Sequence, residues 1–180
     1  MLIVFGSINL DLIFSVPNIP GPGETVLGPS TRIEPGGKGA NQAVAAARDG
    51  ANVIMAGAVG RDALSEGALA LLRAAGVDLD RVWSVEASTG CAAITVNPAG
   101  DNAIAVGSGA NLSVQASQIE DGLLGPAATV VLQMEVPVAE TAADRSCADS
   151  GGSCGVEPRA SRGAAGTCAE GGRCTGRQSD

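Results

Sequence analysis

The chain has 180 residues, of which 45% are hydrophobic and 2% aromatic, and its formal net charge is -8 without any basic run. An acidic chain without clustered Lys and Arg lacks the surface that binds nucleic acid, so we expect no such partner. The absence of histidine excludes Ser-His-Asp and Cys-His catalysis and all histidine metal sites. No apolar run is long enough to span a bilayer, and the first residues lack the basic start of a signal peptide, so we expect a cytoplasmic protein without a membrane partner.

The first half of the chain alternates between apolar strands and helices. Residues 2–5 are an apolar run that predicts a buried strand, and the prolines and glycines at 17–23 predict turns. The elements predicted next are short strands at 24–27 and 31–34, a helix at 40–49, a buried strand at 52–58, a helix at 63–75 and a strand at 81–85. Asp62 stands where it can cap the second of these helices.

A β-hairpin is predicted further along the chain. Residues 89–96 and 102–106 alternate between apolar and polar side chains around a turn-forming segment at 97–101. Gly100-Asp101 could place a catalytic base at a helix start, but its position between two strands favours a hairpin turn. The elements predicted last are a helix capped by Ser113 and reaching about Leu124, a buried strand at 129–134 and a helix beginning at Pro137.

Alternation of strand and helix predicts an α/β fold with a doubly wound, mainly parallel sheet. The hairpin and the 24–34 segment stand outside this alternation, so we expect them to form a separate small β-sheet.

A glycine-rich segment, Gly36-Gly37-Lys38-Gly39-Ala40-Asn41-Gln42, opens the alanine-rich helix. Such a junction brings backbone N–H groups and short polar side chains together at the positive end of a helix, which suits an oxygen-rich ligand. Two nucleotide-binding patterns fail, because Arg32 and Gln42 stand where a phosphate-binding loop and a dinucleotide fingerprint each need glycine. A simple helix start with turn-forming glycines is the alternative.

Three polar residues are further candidates for the same site. Asn9 and Asp11 lie two apart, so in an extended chain they face one side, and a carboxylate can accept from two neighbouring hydroxyls of a diol. Glu135 follows the third buried strand, at the sheet edge where ligands bind in open α/β sheets. Taken alone, Asp11 could equally be an ordinary loop residue and Glu135 a solvated strand end.

The hydrophobic pattern stops near residue 140. Residues 101–140 contain thirteen Ile, Leu, Val or Met, whereas residues 141–180 contain one. The tail cannot bury enough apolar surface to offset the entropy of ordering, so we expect it to be disordered and the sheet to end at an exposed apolar edge. Because the break falls inside a helix, we infer a frameshift near Ala142–Asp144. A genuine low-complexity tail is the alternative.

The tail contains four cysteines, Cys147, Cys154, Cys168 and Cys174. They form no C-x-x-C pair, which argues against a zinc site.

Several strings together resemble the ribokinase-like (PfkB) sugar kinases. They are Gly6-Ser7-Ile8-Asn9-Leu10-Asp11, Pro22-Gly23-Glu24-Thr25-Val26, the segment from Gly36 to Ala47, Ala58-Val59-Gly60-Arg61-Asp62, the hairpin with Gly109-Ala110-Asn111, and Gln133-Met134-Glu135. The resemblance covers about residues 1–140 without a gap, and Gly-Gly-Lys-Gly-Ala-Asn-Gln is specific to the ribokinase type within that family.

The resemblance implies a lid of small β-sheet, about residues 12–35 and 89–108, that closes over a pentose and pairs with its twin in a homodimer. The sugar-binding residues that it implies are Asn9, Asp11, Gly36, Gly37, Lys38, Asn41 and Glu135. Ile104 would add an apolar contact from the lid, to its own sugar or to that of the partner, and the glycine pair would be the hinge of the lid.

The resemblance also implies ATP-dependent phosphorylation of D-ribose on its 5-hydroxyl, with Mg²⁺ and a monovalent cation. The family uses an aspartate base in Gly-Ala-Gly-Asp and an Asn-x-x-Glu segment near the phosphates, and neither string occurs here. We therefore expect the sugar half of a kinase site, truncated after about residue 140, without a catalytic base, nucleotide site or metal site, and inactive alone. The alternatives are a non-catalytic sugar-binding or lid-dimerising fragment, a fragment of a related pentose or nucleoside kinase, and a sequencing error in a whole enzyme.

Overall fold

The computed structural model describes residues 1–125, 127–143 and 153–156, the last four and residues 142–143 as backbone alone. Its strands are β1 Leu2–Phe5, β2 Asn9–Ser15, β3 Ser30–Gly36, β4 Val53–Gly60, β5 Asp78–Val85, β6 Gly90–Val96, β7 Asn102–Gly107, β8 Thr129–Leu132 and β9 Ser153–Val156. Its α-helices are α1 Lys38–Arg48, α2 Ser65–Ala74 and α3 Val138–Ala143. No helix in these described ranges is long and apolar enough to cross a membrane.

Five strands form a parallel central sheet in the order β5-β4-β1-β8-β9. Its two faces carry separate hydrophobic clusters. On one face Val4 and Met55 pack with α1 and α2, and on the other Phe5 packs with Val114 and Ile119. Apolar cover on both faces explains why β1, β4 and β8 are nearly continuous apolar runs. The predicted α/β fold with a doubly wound parallel sheet is confirmed.

A second sheet has the order β3-β2-β6-β7, with β2 and β6 parallel and the outer pairs antiparallel. We call this sheet the lid sheet. Every residue of β7 is exposed, and Ile33 of β3 is 61% exposed. The predicted hairpin and the separate small sheet are therefore confirmed, with the turn at Asn97–Asp101 closed by hydrogen bonds between those two residues.

Two predicted elements are wrong. Residues 24–27 form no strand, because they lie between Pro22 and Pro29, which lack amide donors, and no described strand pairs with them. The helix expected from Ser113 to Leu124 is replaced by 3₁₀ segments at Gly109–Ser113, Ala116–Gln118 and Asp121–Leu123. The buried Gln118 explains this second error. Its Nε2 donates to the carbonyls of Gly57 and Arg81, and its Oε1 accepts from the backbone of Gln115, so the segment binds the central sheet instead of coiling on itself.

Part of the tail departs from the expected disorder. The backbone of β9 lies parallel to β8, with Thr129 opposite Ser153 and Leu132 opposite Val156. A strand ladder is made by backbone groups, so a segment poor in apolar side chains can still form one. The outer edge of β8 is therefore covered rather than exposed, which corrects that expectation. Cys147, Cys168, Cys174 and Asp144 lie outside the described residues.

Candidate functional site

The site is built where α1 begins against the turn that joins the two sheets. Gly37 precedes α1 with a φ of 90°, and a Cβ there would lie 2.7 Å from the carbonyl oxygen of Ser7. Only glycine combines this left-handed conformation with such a close approach. The backbone N–H of Ala40 donates to the same carbonyl at 3.0 Å, so the first turn of α1 is fixed directly against Ser7.

Glu135 is held at the positive end of α1, whose first turn carries no acidic residue of its own. Its Oε2 accepts from Ser7 Oγ at 2.7 Å and from the backbone N–H of Lys38 at 3.3 Å. Its Oε1 lies 3.9 Å from Lys38 Nζ. A carboxylate at this position is stabilised by the helix dipole, and one of its oxygens keeps capacity to accept from a ligand hydroxyl.

The lid sheet contributes Asn9 and Asp11 from one face of β2. Asn9 lies opposite Gly36 of β3, and the Asp11 carboxylate covers Gly36 so closely that an added Cβ would overlap it. Burial raises the pKa of Asp11, and the negative charges of Glu135 and Glu34 raise it further. Asp11 and Glu135 therefore present two electrostatically coupled acceptors from opposite sides of the site.

A cavity of about 480 Å³ opens beside Asn9, Lys38 and Glu135. Its polar lining residues are Ser7, Asn9, Lys38, Ser108, Asn111 and Glu135. A second, larger cavity of about 620 Å³ lies at the far end of the lid sheet, beside Val16, Leu27 and Pro98, and contains none of the predicted site residues. Size alone would favour the second cavity, but the first has the convergent donors and acceptors that a polar ligand requires.

The structure brings together most of the predicted site residues. Asn9, Lys38 and Glu135 line the cavity, and Asp11, Gly36 and Gly37 form the adjoining wall. Two others stand apart. Asn41 is exposed on α1 and does not line the cavity, and Ile104 is 56% exposed on β7, where Val106 lines the cavity in its place.

Ser7 and Asn111 are site residues that the sequence analysis did not select. Both are buried, and both bond the residues just described. Their signal was present, because Ser7 and Asn111 stand inside two of the strings on which the resemblance rests. Among the described residues, no group of three His, Cys, Asp or Glu could hold a metal ion.

The chain is similar to known ribokinases in sequence and in fold. Ribokinase from Bacillus subtilis (strain 168) is 41% identical over 146 residues, which are 80% of this chain and 49% of that protein. The structure of Arabidopsis thaliana ribokinase complexed with ribose and ATP matches with a TM-score of 0.74 and 30% identity, over 86% of this chain and 52% of the other. The ribokinase of Cryptococcus neoformans var. grubii serotype A in complex with ADP gives a TM-score of 0.72 and 36% identity, over 82% and 46%.

These matches share one feature, which is that the chain spans about half the length of the relatives. Residues 1–162 match the family described as pfkB family carbohydrate kinase, past the boundary near residue 140 that the hydrophobic pattern suggests. The chain therefore belongs to the pfkB family of carbohydrate kinases.

Proposed function

We propose that this chain carries the pentose-binding half of a ribokinase-type site, with D-ribose as the preferred ligand. One observation carries the proposal: the acceptor Glu135 and the donor Lys38 line one cavity at the N-terminus of α1, and a second acceptor, Asp11, lies close enough to feel the charge of Glu135. A sugar offers neighbouring hydroxyls that donate and accept, so it can satisfy all of these groups at once. A sugar that lacks one of these hydroxyls would leave a buried polar group of the site unpaired, which would cost roughly 1–3 kcal/mol of binding free energy.

We propose one role for each residue, and the contacts within the site support these roles. Asp11 accepts from sugar hydroxyls on the lid side, and Glu135 accepts through Oε1 on the side of the central sheet. Lys38 donates to a sugar oxygen, while Gly36 leaves room for the Asp11 carboxylate and Gly37 lets α1 begin close to the Ser7 carbonyl. Asn41 and Ile104 join the site only if the lid sheet and its surroundings close over the sugar, because they lie outside the cavity here.

We propose that the complete enzyme transfers phosphate from Mg-ATP to the 5-hydroxyl of ribose. The support is the resemblance to ribokinases, of which the Arabidopsis protein is described with ribose and ATP. We assign no residue of this chain to ATP, Mg²⁺ or a monovalent cation, because the Gly-Ala-Gly-Asp and Asn-x-x-Glu strings that the resemblance links to the nucleotide do not occur in the sequence. The 180-residue chain alone should bind sugar without phosphorylating it.

Calorimetry with D-ribose, 2-deoxyribose and inosine tests the binding proposal. We expect D-ribose to bind most tightly, and Asp11→Asn to weaken it about tenfold or more, because a hydrogen bond to a charged acceptor is lost. Asp49→Asn is the matched control, since it removes the same charge from the exposed far end of α1. Absence of ribose binding by the unmodified chain would disprove the proposal, and tighter binding of inosine would favour a nucleoside kinase.

A coupled assay with ribose and Mg-ATP tests the second part. Turnover above background would contradict the proposed inactivity of the 180-residue chain. Binding without turnover is the expected result.

We also propose that the lid sheet pairs with a second copy of the chain. The support is its exposed apolar surface, which includes Ile33 at 61% and Ile104 at 56%. Sedimentation at increasing concentration tests this pairing. A chain that stays monomeric at high concentration would oppose it.

A further inference from the structure

The side chain of Asn111 makes a two-point contact with the backbone of Ile8. Its Oδ1 accepts from the Ile8 N–H at 2.9 Å, and its Nδ2 donates to the Ile8 carbonyl at 3.2 Å. Asn111 is 1% exposed, and a side-chain amide buried to this extent needs such protein partners. If this amide were reversed, Oδ1 would face the Ile8 carbonyl oxygen and the Nδ2 hydrogens would face the Ile8 N–H. The Ile8 backbone therefore fixes the orientation of the Asn111 amide.

This fixed amide determines the orientation of Asn9. The second hydrogen of Asn111 Nδ2 is donated to Asn9 Oδ1 at 2.7 Å. The bond requires Asn9 to turn its oxygen towards Asn111. Within the described part of the chain Asn9 Nδ2 has no protein acceptor, and Asn9 lines the cavity of about 480 Å³. The polar atom that Asn9 has left for a ligand is thus a donor.

Gly90, the first residue of β6, leaves space for the pair. A Cβ at Gly90 would overlap both Asn111 Nδ2 and Asn9 Oδ1. Asn9 begins β2 and Asn111 follows β7, so the pair joins two places where the chain passes between the lid sheet and the rest of the fold. A larger residue than glycine at position 90 would displace this contact, so the contact between Asn9 and Asn111 constrains the surrounding sequence.

We propose that Asn111 is a positioning residue that fixes Asn9 with Nδ2 towards the cavity, so that the site selects a ligand oxygen that accepts there. The proposal rests on the proposed sugar-binding function. It adds a polarity to the site: Asn9 and Lys38 donate, whereas Asp11 and Glu135 accept. A sugar hydroxyl facing Asn9 must then keep its own hydrogen for another acceptor.

A double-mutant cycle measures the coupling, with D-ribose affinity followed by NMR titration. Asn111→Ala should weaken ribose binding about five- to tenfold, the range for one hydrogen bond. In the Asn9→Ala background the same substitution should cost less than about twofold, because nothing remains to be positioned. Equal losses in both backgrounds would overturn the proposal, since Asn111 would then support only the Ile8 backbone.

Asn9→Asp covers the case in which Asn111→Ala fails to fold. The carboxylate still accepts from Asn111, so the Ile8 contact survives, but the donor facing the cavity becomes an acceptor. We expect at least a tenfold loss of ribose affinity with the fold retained. Unchanged affinity would mean that Asn9 presents its oxygen to the sugar and would refute the assigned orientation.

Hydrogen exchange of side-chain amides tests the orientation in the unmodified chain without any sugar. The Asn111 NH₂ hydrogens are both bonded, whereas the Asn9 NH₂ hydrogens have no acceptor in the described part of the chain, so the Asn9 hydrogens should exchange faster than those of Asn111. Protected Asn9 hydrogens would contradict the proposal. If the exchange rates are as expected but ribose does not bind, the proposed orientation of Asn9 stands and the proposed sugar binding is rejected. Failure of the one proposal can therefore be told from failure of the other.

Discussion

The two sheets of this protein are stabilised in different ways. In the central sheet, Ile3, Val4 and Phe5 of β1 are fully buried, because helices or 3₁₀ segments cover both faces. In the lid sheet, β7 is exposed along its whole length. The central sheet therefore depends on apolar burial on both faces, whereas the lid sheet buries only a few apolar side chains, such as Leu10 and Ile13 of β2, and depends more on its hydrogen-bonded ladders and on polar contacts at its base. The candidate site lies at that base, where the two kinds of structure meet.

The largest expected effect comes from opening the core of the central sheet. Phe5→Ala should lower the free energy of unfolding by about 3–5 kcal/mol, because it removes a fully buried ring and leaves a cavity. Denaturant titration followed by circular dichroism measures this change. Since domains are stable by only about 5–15 kcal/mol, the variant should be close to unfolding. If Phe5→Ala lowers the free energy of unfolding by less than about 1 kcal/mol, the central sheet does not depend on apolar burial as we describe.

Asp62 tests the polar contacts between the sheets. Its carboxylate accepts from the backbone and side chain of Thr89, each at 2.7 Å, and from the backbone of Leu64 at 3.1 Å. Thr89 is 2% exposed and directly precedes β6. Asp62→Ala should cost roughly 1–3 kcal/mol, because the Thr89 N–H is left buried without an acceptor. A matched Glu86→Ala substitution, in an exposed ion pair with Arg61, should cost less than about 1 kcal/mol.

The Asp62 contribution should also depend on pH. The hydrogen bonds from Thr89 lower the pKa of Asp62 below its ordinary value of 3.8. A lowered folded-state pKa stabilises the fold above that ordinary value, and the contribution is lost as pH falls through the folded-state pKa. The stability difference between the unmodified chain and Asp62→Ala should therefore be constant near neutral pH and shrink below about pH 4. A difference that grows on acidification would contradict this linkage.

The contrast between the sheets also explains what the sequence could predict. Strands with two buried faces read as short apolar runs, so the local hydrophobic pattern predicts β1, β4 and β8. The hairpin of β6 and β7 was found from its turn residues. The local pattern predicts a helix from Ser113 to Leu124, and this prediction is wrong because the contacts of Gln118 with Gly57 and Arg81 are long-range and leave no local signal in the sequence. The sequence does not predict β9, because this strand forms by backbone pairing with β8 and its own side chains show no strand pattern.

The site was predictable to the extent that its residues face the cavity. Asn9, Lys38 and Glu135 carry polar groups at strand or helix ends, where a ligand is expected. Ser7 and Asn111 were not selected, because a buried hydroxyl or amide acts only through a neighbour that the linear sequence does not reveal. Residues that position others are visible only after the chain has folded.

Asp11 should show the cost of placing a carboxylate in the site. Because burial and the nearby Glu135 and Glu34 raise its pKa, the ionised form destabilises the fold at neutral pH. Asp11→Asn should therefore stabilise the chain, by up to about 1 kcal/mol because the group is partly screened by solvent. This gain in stability should shrink as pH falls through the raised pKa of Asp11 towards the ordinary value of 3.8, because the Asp11 carboxyl of the folded chain then becomes protonated and loses its charge. Thermal unfolding between pH 3.5 and 7 measures it, and a destabilised variant at pH 7 would contradict the argument.

The smallest expected effect is on the lid sheet. Ile104 is exposed on β7 opposite Ile94, so Ile104→Ala should change the free energy of unfolding by less than about 0.5 kcal/mol in dilute solution. This is the counterpart of Phe5→Ala, since both substitutions remove a large apolar side chain and only burial differs. The measurement should be repeated at high protein concentration. If the lid sheet pairs with a second copy and covers Ile104, the cost of the substitution should rise with concentration, whereas the cost of Phe5→Ala should change much less. A large cost in dilute solution would mean that Ile104 is buried within a single chain, contrary to the exposed lid described above.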